Sequence, residues 1–194
     1  MLDSSGSIGE QDFGEVRSFV YEFADSLTIG PDDNQVGVIS FSTIARVDFF
    51  LNSYSTRSNL LTAVENIPYD DGGSTNTADG LCKLIREGYT TQHGARLSSA
   101  SVSRLAIVMT DGKSNADSVD CSFTTLQAAE AVHSFEPSLL VYAIGVTSDV
   151  DLQELNAIAS KPEYALNISS FDSSLLQGIQ EQQTYELCNR GMSN

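Results

Sequence analysis

The segment Leu105-Ala106-Ile107-Val108-Met109-Thr110-Asp111-Gly112 decides the reading of this chain. Five apolar residues in unbroken succession are the pattern of a strand buried on both faces, and such strands belong to parallel sheets covered by helices. The run ends in a carboxylate followed by glycine. In open α/β sheets the carboxyl ends of strands are where ligands bind, above all where the strand order reverses. Asp111 is therefore a candidate ligand-binding residue.

The neighbouring sequence alternates in the same sense. Phe13, Val16, Val20, Phe23 and Leu27 recur at spacings of three and four, which predicts an amphipathic helix over Ile8 to Leu27. Strands are expected at Val36 to Phe41 and at Ala45 to Leu51. The Ser42-Thr43 link is too short for a crossover, so these two form an antiparallel hairpin. Helices follow at Ser58 to Ile67, ended by Pro68, and around Leu81, Leu84 and Ile85. Beyond the deciding segment come a helix from Phe123 to Phe135, an apolar strand from Leu139 to Val146 and a helix from Asp151 to Ser160. A short edge strand, Tyr164 to Ile168, and a last helix, Ser173 to Gln182, complete the pattern. The fold class is α/β: a doubly wound, mostly parallel sheet with one antiparallel edge strand and helices on both faces.

Two further loops carry oxygen donors. Asp3-Ser4-Ser5-Gly6-Ser7 precedes the first helix, and in an extended stretch residues 3, 5 and 7 point the same way. One carboxylate and two hydroxyls are donors that a hard cation takes, although Ser and Asp are also preferred helix caps. Thr75 lies in Gly72-Gly73-Ser74-Thr75-Asn76-Thr77, where paired glycines permit a close backbone approach. Asp70, Asp71 and Asp79 flank this loop and are read as solvated acids. The candidate metal ligands are Asp3, Ser5, Ser7, Thr75 and Asp111. The cation they suit is Mg²⁺, with Mn²⁺ or Ca²⁺ as substitutes.

Composition narrows the function. Ten basic against 26 acidic residues give a net charge of −16 in 194 residues. Such a surface repels phosphate backbones, so no nucleic-acid partner is expected. No apolar run reaches the roughly 20 residues that a membrane-spanning helix requires, so no membrane insertion is expected. His93 and His133 lack the spacing of a catalytic site, and no Gly-x-x-x-x-Gly-Lys loop or dinucleotide fingerprint occurs. Enzymatic activity is not expected. Cys82, Cys121 and Cys188 are an odd number. Cys82 reads as a small buried hydrophobe, and Cys188 as the candidate for a disulfide, with Cys121 or with a segment outside this chain. Asn167-Ile168-Ser169 is a glycosylation acceptor pattern.

Taken together, Asp3-x-Ser5-x-Ser7, Gly73-x-Thr75-x-Thr77 and Thr110-Asp111-Gly112 resemble the von Willebrand factor A domain, also called the integrin inserted domain. The resemblance runs from Asp3 to about Gln182 and implies a Rossmann-like fold. It also implies a metal-ion-dependent adhesion site in which the bound cation coordinates a carboxylate from a partner protein. The stretch 74–81 looks most like matrilins and collagen VI-type members, so the implied partner is collagen or another extracellular matrix or cell-surface protein. The implied location is extracellular, secreted or matrix-associated. An intracellular assembly or chaperone-like module and a metal-dependent hydrolase are the competing readings. Domain limits are set at 1–183, with a tail at 184–194. Domains of this family begin with a buried central strand, whereas only Met1 and Leu2 precede Asp3. Most of that strand is expected to be missing, which marks the sequence as a fragment of a longer secreted protein with Cys188 paired upstream.

Overall fold

The structure is a computed structural model and describes residues 1–181, apart from 100, 112, 119, 147–149, 169–174, 176 and 180. Six strands form one sheet: β1 (Leu2–Asp3), β2 (Val38–Phe41), β3 (Ala45–Phe49), β4 (Arg104–Thr110), β5 (Leu139–Gly145) and β6 (Ala165–Asn167). Their spatial order is β3-β2-β1-β4-β5-β6. All neighbours run parallel except β2 and β3, which form the expected antiparallel hairpin. From β1 the chain goes first to β2 on one side and later to β4 on the other. The switch in direction therefore lies at the carboxyl end of β1, beside Asp3 and Asp111.

The apolar runs form the centre of the sheet because only a doubly covered strand can bury both of its faces. Every residue of β5 is buried, and β4 pairs with it along its whole length, from Arg104↔Leu139 to Thr110↔Gly145. Helices cover both faces. One group is α1 (Gly9–Asp25) with α2 (Arg57–Glu65). The other is α3 (Thr77–Lys83), α4 (Thr125–Phe135) and α5 (Leu152–Ile158). Thr124 and Gln127 form a reciprocal capping box at α4, which satisfies two of the free N–H groups at that helix start.

Two expectations need correction. Cys82 is not a lone buried thiol: it is bonded to Cys121, tying α3 to the loop before α4. The helical spacing around Cys82 carried no sign of a partner 39 residues away, because the pairing exists only once α3 and α4 pack together. The second concerns Asp79, read as a solvated acid but only 1% exposed. Its carboxylate accepts from Ala45 N–H at 2.7 Å, Ser118 Oγ at 2.8 Å and Asp120 N–H at 3.3 Å. It joins the hairpin to the loop after β4, and those hydrogen bonds offset its loss of water. Cys188, Ser169, the tail 184–194 and half of the last expected helix lie outside the described residues.

The first strand is short, as expected. β1 has two residues, and its register with β4 is the single pair Leu2↔Met109. Met1 extends the contact, since its amine donates to Ile107 O at 2.6 Å and its carbonyl accepts from Met109 N–H at 3.0 Å. Below it, between β2 and β4, lies a cavity of about 190 Å³ lined by Val20, Phe23, Val38, Leu105 and Ile107 among others. Leu105 and Ile107 are only half-buried for this reason.

Candidate metal centre

Asp3 ends β1 and is fully buried. Its two oxygens point different ways: Oδ1 accepts from Ser5 N–H at 2.9 Å, and Oδ2 from Thr110 Oγ at 2.7 Å. The first bond curls the loop so that Ser5 and Ser7 follow on the same side, with their hydroxyl oxygens 3.1 Å apart. Ser7 Oγ donates to Asp111 Oδ1 at 3.2 Å, and Thr75 Oγ1 donates to Ser5 Oγ at 3.1 Å. All five residues singled out in the sequence thus join one connected network, although they come from three loops up to 104 residues apart.

The competing view of these residues as helix caps does not survive. Ile8 stands at the N-terminus of α1 and makes no side-chain capping bond. The serine hydroxyls turn instead toward Thr75 and Asp111.

Close packing of the loops holds the network in place. Ser4 N–H donates to Phe41 O at 2.7 Å, Gly72 N–H to Ser4 O at 3.2 Å, and Asp70 N–H to Ser4 Oγ at 2.7 Å. A side chain at Gly72 would collide with Ser42 of the hairpin, so glycine is needed there for the approach of two backbones. Asn76 caps α3 by accepting from Asp79 N–H, while its amide group donates to Thr43 O and Asp117 O. The threonine loop is fastened on both flanks.

The electrostatics are those of a site lacking positive charge. Burial raises the Asp111 carboxyl to about 6, and the nearby Asp3 carboxylate adds to the rise. Two acids converge where water is scarce, an arrangement that disfavours their joint ionisation unless a cation intervenes. Asp3, Ser5, Thr75 and Asp111 are buried, whereas Ser7 is exposed and leaves the network open to solvent on that side. Among the described residues no group of three or more His, Cys, Asp or Glu forms a metal cage. The donor set is two carboxylates and three hydroxyls, which suits a hard, oxygen-seeking ion and not a soft one. The histidines are engaged elsewhere: His93 stacks on Phe50 with centroids 3.7 Å apart, and His133 Nε2 lies 3.0 Å from Ile158 O.

The sequence pattern of the von Willebrand factor type A domain matches residues 1–182. The chain belongs to that family. It is 33% identical over 191 residues to the collagen alpha-1(XII) chain of Notophthalmus viridescens, covering 97% of this chain and 19% of that protein. Matrilin-1 of Gallus gallus is 34% identical over 164 residues, covering 84% of this chain and 31% of that protein. Among solved structures, proximal thread matrix protein 1 from the mussel byssus superimposes with a TM-score of 0.79 at 26% identity, covering 96% of this chain and 46% of that one. A further form of the mussel protein, with a TM-score of 0.78 and 25% identity, has a zinc-occupied MIDAS motif. The chain therefore spans less than a third of these two curated relatives. Its fold is that of a von Willebrand factor A adhesion module.

Three contributors escaped the sequence reading. Thr110 was seen only as part of a motif, yet its hydroxyl orients Asp3. Ser114 and Asn115 bond to Thr75 from the loop after β4. That loop has no period, so nothing in its residue pattern announced the contact.

Proposed function

We propose that this von Willebrand factor A domain is a metal-ion-dependent protein-binding module, holding one divalent cation through Asp3, Ser5, Ser7, Thr75 and Asp111. The observation that carries the reading is the convergence of two carboxylates and three hydroxyls in one network, with Asp111 raised to about 6 while Asp3 lies beside it. Mg²⁺ matches the all-oxygen set, with Mn²⁺ or Ca²⁺ as substitutes. Two aspartates neutralise a divalent ion formally, so the bound cation would supply a Lewis-acidic point at which a partner's carboxylate replaces water. The chain's own part is to hold the ligands, exclude water around Asp3 and Thr75, and leave the Ser7 side open.

The partner is a protein that presents an acidic side chain, in the matrix or at the cell surface, with collagen as the first candidate. Similarity to a collagen chain and to matrilin-1 supports that class. A secreted, matrix-associated location is supported by the same relatives and by the Cys82–Cys121 disulfide, since disulfides persist in oxidising compartments. The test is calorimetric titration with Mg²⁺, followed by binding to immobilised collagen with and without chelator. Saturable Mg²⁺ binding that Asp3→Ala and Asp111→Ala abolish is the expected result. Equal Mg²⁺ affinity in both variants and the parent would overturn the site. Chelator-insensitive binding would overturn the metal-dependent role.

A further inference from the structure

Thr75 is held by more than its own loop. Its N–H donates to Asn115 Oδ1 at 3.0 Å, and its carbonyl accepts from Asn115 N–H at 3.0 Å and from Ser114 Oγ at 3.0 Å. Asn115 thus engages both main-chain polar groups of Thr75. With the peptide fixed on both sides, the Thr75 backbone and Cβ are held where the hydroxyl reaches Ser5 Oγ. Ser114 and Asn115 lie just beyond Asp111, so one short segment carries a carboxylate of the network and clasps the residue that supplies another of its donors.

That segment is anchored in turn from a different element. The Ser114 N–H faces both carboxylate oxygens of Glu154, each at 3.1 Å. Glu154 is on α5 and only 8% exposed. A buried carboxylate loses much of its hydration, and a charge-assisted bond to a backbone N–H is among the stronger hydrogen bonds that offset the loss. The path from α5 to Thr75 is therefore continuous: Glu154 to Ser114, Ser114 and Asn115 to the Thr75 peptide, and Thr75 Oγ1 to Ser5.

We propose that Asn115 and Glu154 are positioning residues for the cation: Asn115 sets Thr75 against the Asp111 loop, and Glu154 fastens that loop to α5. The inference rests on the divalent-cation reading of the site. Neither residue is among the five candidate ligands, so Asn115 acts through Thr75, and Glu154 through the segment that carries Asp111 and holds Thr75. Residues that orient metal ligands typically change affinity by about 10- to 100-fold when removed.

The test is Mg²⁺ calorimetry on the parent chain, Asp111→Ala, Thr75→Ala, Asn115→Ala, Glu154→Ala, Glu154→Gln and the double variant Thr75→Ala/Asn115→Ala. Urea midpoints are measured beside it in chelator. Asn115→Ala and Glu154→Ala are expected to weaken Mg²⁺ about tenfold, and Glu154→Gln, which keeps an acceptor for Ser114, to recover most of that loss. The double variant should bind no more weakly than Thr75→Ala alone, because two residues acting through one contact are not additive. A merely structural role would lower the urea midpoints and leave Mg²⁺ affinity unmoved. Parent-like affinity in Asn115→Ala and Glu154→Ala, with Asp111→Ala inactive, would overturn the positioning role alone. Full additivity in the double variant would overturn it as well. Absence of Mg²⁺ binding in the parent chain would overturn the cation reading and this inference with it. Should Glu154→Ala fail to fold, Asn115→Ala and the double variant decide the matter.

Discussion

Asp111, a candidate ligand, is held at a cost to the fold. Its carboxyl is raised to about 6 by burial and by Asp3, whereas an unfolded aspartate ionises near 3.9. A raised acid favours the folded state below the unfolded value, and that advantage is lost as pH rises through about 6. In chelator at pH 7, Asp111→Asn should therefore be more stable than the parent chain, by about 1 to 3 kcal/mol. The gap should close by about pH 4. Mg²⁺ should stabilise the parent and leave the variant unmoved. Urea denaturation at the two pH values, with and without Mg²⁺, checks all of this; a variant less stable in chelator at pH 7 would refute the repulsion. Thr75 behaves differently, being a neutral donor on a loop set by its neighbours. Thr75→Ala should weaken partner binding while shifting the urea midpoint little, as surface plasmon resonance and denaturation can separate.

Elements matter through how closely they approach. The loop carrying Thr75 lies against the β2–β3 hairpin at Gly72, where a methyl group would meet the Ser42 side chain. Gly72→Ala should push the loop outward, lowering both Mg²⁺ affinity and stability, the latter by about 1 to 3 kcal/mol as for overpacking elsewhere. Calorimetry and a melting curve test the two effects, and an unshifted variant would show that the loop yields freely. The Cys82–Cys121 bridge constrains the other flank, joining α3 to the segment that carries Ser118 and Asp120. Replacing both cysteines by alanine should cost about 2 to 4 kcal/mol of stability. Denaturation of the double variant beside the oxidised parent measures it, and coincident curves would contradict the bridge.

For the molecule as a whole, the sheet has an open slot beside β1. Val38, Leu105 and Ile107 face a cavity of about 190 Å³. Extending the chain before Met1 with several strand-forming apolar residues should fill the slot and pair further backbone groups of β4. The urea midpoint should rise and Mg²⁺ binding should tighten, because Asp3 directly follows β1. Coinciding curves for the parent and extended chains would show that the slot takes no strand.

The apolar runs at Leu105 to Met109 and Leu139 to Val146, the short hairpin link and the three oxygen-bearing loops were legible from residue order alone. Periodicity and turn chemistry act over a few residues, so they leave a local trace. The capping alternative for Asp3, Ser5 and Ser7 could not be dismissed at that level, since one residue type serves both purposes. Only the packed structure turned those hydroxyls toward Asp111 and Thr75. It also decided that Asp79 is buried, that Cys82 meets Cys121, and that Glu154 reaches Ser114. These contacts join positions 34 to 41 residues apart. Such contacts depend on how helices settle against a shared sheet, and no local pattern in the chain encodes that distance.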